Sequence, residues 1–172
     1  MKPNLKLLLS TIAVLAAVPA SAVEVEYAGS DKAVRFAAKE LRDCLKGAVG
    51  RIRFAVDATL GPQAWRIEGK DGLLTLFGRD GQGQTYAALA FLEKHAGFRW
   101  YAPDTEARPD RTGWKIPDVA DEGRPALPER EYYVGSDYMD GTWRLRNKET
   151  RRAAFGVGVS VGAPFSVSRR RA

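Results

Sequence analysis

The residues that could do chemistry here are carboxylates: Asp104, Glu106, Glu129, Glu131, Asp137 and Asp140. Two carboxylates held about 5–9 Å apart hydrolyse a glycosidic bond, one as acid and one as base or nucleophile. Sequence spacing does not set that distance, and such groups are mostly solvated surface. His95 is the only histidine and Cys44 the only cysteine. One of each cannot build a cysteine–histidine metal site, and a lone cysteine cannot close an internal disulfide. His95 falls in the last turn of a helical run, where a cation suits the dipole, and reads as structural. Cys44 sits in a helical apolar pattern and reads as a small buried hydrophobe. No serine or cysteine is placed to suggest a triad. The residues therefore indicate no catalytic group, no metal ligand and no cofactor.

The loop Gly78-Arg79-Asp80-Gly81-Gln82-Gly83 follows a strand pattern and opens a helix pattern, as a phosphate cradle does. It lacks both the P-loop spacing and the dinucleotide-binding spacing, and it has no lysine to reach a phosphate. It reads instead as a tight strand-to-helix turn whose glycines supply positive φ.

The elements that would position these residues are set by periodicity. Val23 to Tyr27 alternates apolar and charged residues, which predicts a half-buried strand. Gly29-Ser30-Asp31 reads as a turn and helix cap. Val34, Ala37, Ala38, Leu41, Cys44 and Leu45 recur at helical spacing, with Lys39, Glu40, Arg42, Asp43 and Lys46 on the polar face. That helix ends near Gly47 or Gly50. Arg51–Ala58, Ala64–Glu68 and Leu73–Phe77 read as strands, the last two joined by a hairpin at Lys70-Asp71-Gly72. A second helix is expected from Gln82 to Ala96. Its middle, Tyr86 to Leu92, is apolar all round, so it must be covered on more than one side. Pro103–Asp121 reads as a connector, Gly123–Pro128 as a linker, and Glu129–Val134 as a further strand. There is no internal repeat. The expected fold class is α/β (α+β): a small two-layer mixed sheet with two main helices packed on it.

Basic Lys2 and Lys6, a run of 12 residues from Leu7 to Val18, and Ala20-Ser21-Ala22 together read as a cleaved secretory signal. The run is too short to span a bilayer. Residues 1–22 are thus expected to be a signal and 23–121 an α/β domain, with 122–172 opening on a linker and ending in an irregular tail. The net charge is +6, but the two ends carry seven lysines and arginines without an acid, which leaves residues 23–150 at −1. A nucleic-acid binder needs positive charge on its folded face, so that class is excluded.

The order "AVRFAAKELRDCLKGAVG", "GLLTLFGRDGQGQTYAALAFLEKHAGFRWYAPD", "PALPEREYY" and "WRLRNK" resembles the N-terminal domain of bacterial α-glucuronidases. That domain is shared with the one preceding the barrel in β-hexosaminidases. It also resembles large secreted proteins in which such a domain precedes a glycoside-hydrolase-like barrel. The resemblance spans about Val23 to Lys148 and is most specific from Gly78 to Asp104. It implies a non-catalytic two-layer domain, with the catalytic acids on a later (β/α)₈ barrel of about 250 residues. By the same resemblance Glu129-Arg130-Glu131 corresponds to the first barrel strand, so that residues 122–172 hold the linker, the start of a truncated barrel and the tail. Arg130, Trp143, Arg146 and Asn147 are then candidate substrate contacts. The tail past Arg152 departs from the pattern and reads as a truncation.

Phe98, Trp100 and Tyr101 crowd past the second helix. With Phe91 they are expected to pack against the sheet or an absent barrel; a sugar-stacking platform is the alternative. Three functions are expected on these grounds: an accessory fragment of a secreted glycoside hydrolase, a self-standing carbohydrate-binding module, or a nonfunctional remnant. The first requires an exposed apolar patch where a barrel docks. The expected location is periplasmic or extracellular, with carbohydrate and the barrel as partners, and no nucleic acid or membrane once the signal is removed.

Overall fold

The computed structural model describes residues 23–131 and 141–150. The signal segment, the Tyr132–Val134 part of the last expected strand, Asp137, Asp140 and the tail after Thr150 lie outside the described residues. Strand β1 (Glu24–Glu26) leads through helix α1 (Lys32–Cys44) to β2 (Arg51–Val56). The hairpin β3 (Trp65–Lys70) and β4 (Leu73–Gly78) precedes helix α2 (Gly81–Lys94). A small hairpin, β5 (Arg99–Ala102) and β6 (Thr105–Ala107), is followed by β7 (Val119–Gly123) and the short helix α3 (Gly141–Arg146).

The five-stranded sheet has the order β1-β2-β4-β3-β7. Strands β1, β2 and β4 are parallel, whereas β3 runs antiparallel to both β4 and β7. This is a mixed α+β fold, with β5 and β6 forming a separate two-stranded sheet. Alternation divides the sheet into two faces. Ile52, Leu74, Leu76 and Ile67 are fully buried, whereas Arg51, Arg53 and Glu68 of the opposite face stay exposed. The β3–β4 turn places Asp71 at φ 51° and Gly72 at φ 76°. Two successive left-handed residues match the twist of the hairpin, which is why Asp-Gly stands there.

Helix α1 starts where Asp31 accepts hydrogen bonds from the N–H groups of Ala33 (2.7 Å) and Val34 (3.4 Å). Its buried stripe contains Val34, Ala37, Ala38, Leu41 and Cys44, as the spacing predicts. Glu40 departs from the expected polar face: it is only 2 % exposed.

Helix α2 is the centre of the core. Every residue from Gln84 to Leu92 is buried. The sheet covers one side and α1 another, with the Thr85 hydroxyl donating to the Ala33 carbonyl at 2.9 Å. Trp114 reaches Phe91 at a ring separation of 6.2 Å. The cover expected from an absent partner is therefore supplied by this chain. Phe91 and Phe98 are fully buried and Trp100 nearly so, and only Tyr101 turns outward, at 65 % exposure. Of the two packing partners expected for Phe91, Phe98 and Trp100, the sheet or an absent barrel, it is this chain's own core that takes them, so the inter-domain role expected of them is corrected to core packing. Just past α2, Gly97 adopts φ 76° and the Phe98 N–H reaches back to the Leu92 carbonyl at 2.9 Å. This glycine stop turns Phe98 inward and sends the chain into β5.

Two further expectations change. The 103–121 connector contains β6 and most of β7, and β7 carries the sheet two residues past Asp121. Strand β7 reads "VADEG", in which only Val119 favours a strand; it forms because β3 offers an unpaired edge. The glycines of the loop before α2 are also not there for positive φ, since Gly78, Gly81 and Gly83 do not adopt it. A Cβ on Gly78 would lie 2.2 Å from the Gln84 nitrogen, and one on Gly83 would lie 2.7 Å from the Ala64 carbonyl oxygen. They allow the first turn of α2 to press its backbone against the end of β4 and the start of β3.

Candidate functional site: the Arg130 cleft and the α3 seam

The start of α2 is closed to anions. The Asp80 carboxylate accepts from the Gly83 N–H at 2.8 Å, and the Asp80 carbonyl takes the Gln84 N–H at 3.0 Å. A carboxylate already fills the place a phosphate would take. Cys44 is equally inert: burial, with Glu40 nearby, pushes its thiol up to about 12, so no thiolate forms near neutral pH.

His95 lies beside β7, with Nε2 3.2 Å from Asp121 Oδ2, and Lys94 pairs with the same carboxylate at 3.0 Å. Burial raises the Asp121 carboxyl, but its bonds to Lys94 and His95 outweigh burial and hold it below the ordinary range. A depressed folded value means that the contribution to stability is present above the unfolded value of about 3.9 and lost as pH falls through the folded one. The stability gap between the native chain and Asp121→Asn should be full near about pH 6 and close toward about pH 2. Chemical denaturation at several pH values reads it; a constant gap would contradict the assignment.

The four residues matched to substrate contacts fall into two places. Arg130 lies at the first turns of α2. Its Nε donates to the Lys148 carbonyl at 2.9 Å, Nη2 donates to Gln63 Oε1 at 3.0 Å and to the Tyr86 hydroxyl at 2.9 Å, and Nη1 donates to the Leu127 carbonyl. The guanidinium also stands 5.4 Å from the Tyr86 ring centre. Gln82 Nε2 donates to the same Tyr86 hydroxyl at 2.9 Å. Burial pushes the Tyr86 phenol up against the pull of Arg130, so it stays neutral. Beside this knot lies a polar cleft of about 420 Å³ bordered by Gln63, Gln82, Pro128, Glu129, Glu131 and Thr150 as well as Arg130.

Trp143, Arg146 and Asn147 gather instead at β5. Trp143 Nε1 and Asn147 Nδ2 both donate to the Trp100 carbonyl, at 3.1 and 3.3 Å. Arg146 Nε pairs with Glu40 at 2.8 Å and Nη1 lies 3.4 Å from Glu106, with the guanidinium 5.4 Å from the Trp100 ring centre. Arg108, bonded to Glu106 at 2.8 Å, holds that carboxyl below its usual range, and Arg146 adds to the effect. Lys148 pairs with Glu93 of α2.

Arg130 and α3 thus tie the segment after the linker to α2, α1 and β5. Glu40, Gln63, Tyr86, Glu93 and Lys148 were not readable as partners. Glu40 and Arg146 are 106 positions apart and Gln63 and Arg130 are 67, so no local pattern joins them. A fork geometry on Arg130 is what a lysine lacks. Arg130→Lys should lower stability by about 1–3 kcal/mol by leaving Gln63 Oε1 without its donor and Tyr86 with Gln82 alone. Thermal melting checks this, and an unchanged midpoint would show the knot to be idle.

Among the described residues no group of three or more histidine, cysteine, aspartate or glutamate side chains could hold a metal ion. No helix among them is long and apolar enough to cross a membrane. Fold and site together define a two-layer α+β domain with a charged segment docked on its helices. No family model matches the sequence, and no curated protein matches it.

Proposed function

We propose that this chain is the non-catalytic N-terminal accessory domain of a secreted glycoside hydrolase-like protein. The observation that carries the reading is the seam. The residues that the resemblance places at the start of the barrel, Arg130, Trp143, Arg146 and Asn147, bond to α2, α1 and β5. They serve as the mount by which a following domain is held, rather than as contacts to sugar. The same seam replaces the apolar patch that a docking surface would otherwise need.

The second reading, a self-standing carbohydrate-binding module, is favoured by the polar cleft beside Arg130 and by outward-facing Tyr101. The nucleotide sequence downstream of the Ala172 codon, translated in all three forward frames, separates the two. The accessory-domain reading expects barrel-like βα repeats there and no cleavage of aryl glycosides by the isolated chain. An absence of such repeats, together with saturable binding of acidic or amino sugars by calorimetry, would establish the module instead.

A further inference from the structure

The α/β body closes its core without α3. The buried apolar cluster runs from Val23 to Ile116; of the apolar side chains in 141–150 it is Trp143 that packs against it, half-buried, and Arg146 lies over the ring of Trp100. No residue of α3 itself is buried. The segment folds on itself: Arg144 pairs with Glu149, the Asn147 N–H donates to the Trp143 carbonyl at 3.0 Å, and the Glu149 N–H donates to the Arg144 carbonyl at 3.0 Å. Glu149 is buried, but its ion pair is internal to the segment.

The segment turns cations toward the body, and the body receives them with acids. Arg146 enters between Glu40 and Glu106, and Lys148 meets Glu93. Glu40 comes from α1 and Glu106 from β6, so the pair that receives Arg146 is assembled only in the folded body, and Glu93 of α2 receives Lys148 at a separate place. A helix side such as α1 has no reason to bury an acid unless a cation completes the site.

We propose that Glu40 with Glu106, and Glu93 apart from them, form two cation-selecting seats, occupied by residues 141–150 as a charge-held strap that can leave without unfolding the α/β body. The strap rests on side-chain charge and a few hydrogen bonds, so reversing its charge should open it while the core persists. This holds whether or not the accessory-domain reading does, because it concerns only contacts within the chain.

The test uses the full chain and limited trypsin digestion, with cleavage after Arg144 followed by mass spectrometry. In Arg146→Glu and, separately, Lys148→Glu, that cleavage should accelerate at least tenfold over the native chain. Hydrogen exchange of the α1 and α2 amides should stay slow in both variants. Unchanged cleavage overturns the proposal, as does faster exchange throughout α1 and α2, which would make the segment part of the core. A native rate already equal to that of a free peptide of residues 141–150 overturns it as well.

Discussion

Gly78→Ala should lower stability by about 3 kcal/mol, the upper part of the range for an overpacked site, and the melting midpoint by roughly 10 °C. Gly78 ends β4 and lies under the first turn of α2. The added carbon would sit 2.2 Å from the Gln84 nitrogen and 2.4 Å from the Gly83 carbonyl carbon. Both are backbone atoms at the start of a helix whose next turns are fully buried, so no side chain can swing aside. Either α2 slides off the sheet or β4 does, and each motion disturbs the contacts of Leu74, Leu76 and Leu89. Gly61→Ala is the matched control: nothing lies within 4 Å of its added carbon. There the substitution should be neutral or stabilising by about 0.4–1 kcal/mol, through the unfolded chain. Calorimetric melting of both variants decides it. Equal midpoints would mean that the close approach of α2 to β4 does not matter.

The second large effect is expected at Trp100→Ala. The ring is 5 % exposed and belongs to the core cluster, and truncating a buried aromatic typically costs about 3–5 kcal/mol. The loss also removes the surface over which Arg146 lies, so the seam should loosen together with the core. The carbonyl that accepts from Trp143 and Asn147 remains, because it is backbone. A strongly reduced melting midpoint is therefore expected, with no separate effect on sugar binding. Preserved melting with loss of glycan affinity would reverse the assignment and make the ring a stacking platform. Tyr101→Ala is the contrast. That ring is largely exposed, so its removal should leave stability nearly unchanged, and any sugar affinity resting on an aromatic face should disappear there first.

Gly78 and Trp100 belong to neighbouring parts of one feature, the apolar second helix and its aromatic exit. The composition of that helix already required cover on several sides and left open the source of the cover. The sheet, α1 and Trp114 supply it from within the chain, and Arg130 lies over Tyr86. An apolar helix with no polar face does not by itself imply a second domain; a chain of this length can wrap one completely.

The sequence by itself determined the elements whose rules are local. The cap at Asp31, the Asp71-Gly72 turn, the apolar stripe of α1 and the alternation of β1 were readable, because each depends on residues within a turn or a strand of one another. Only the tertiary structure decided the rest. It made a strand of the polar segment Val119–Gly123, since a polar edge pairs only where a neighbour presents its hydrogen bonds. It also buried Glu40, because a cation from 106 positions away completes its site. The glycines before α2 are needed for contact distance and not for backbone angle, and distance between segments exists only once they are packed. The same reason placed Arg130 on Tyr86 and Arg146 beside Trp100: a charged group far along the chain has no partner in the sequence until the fold brings one within hydrogen-bond reach.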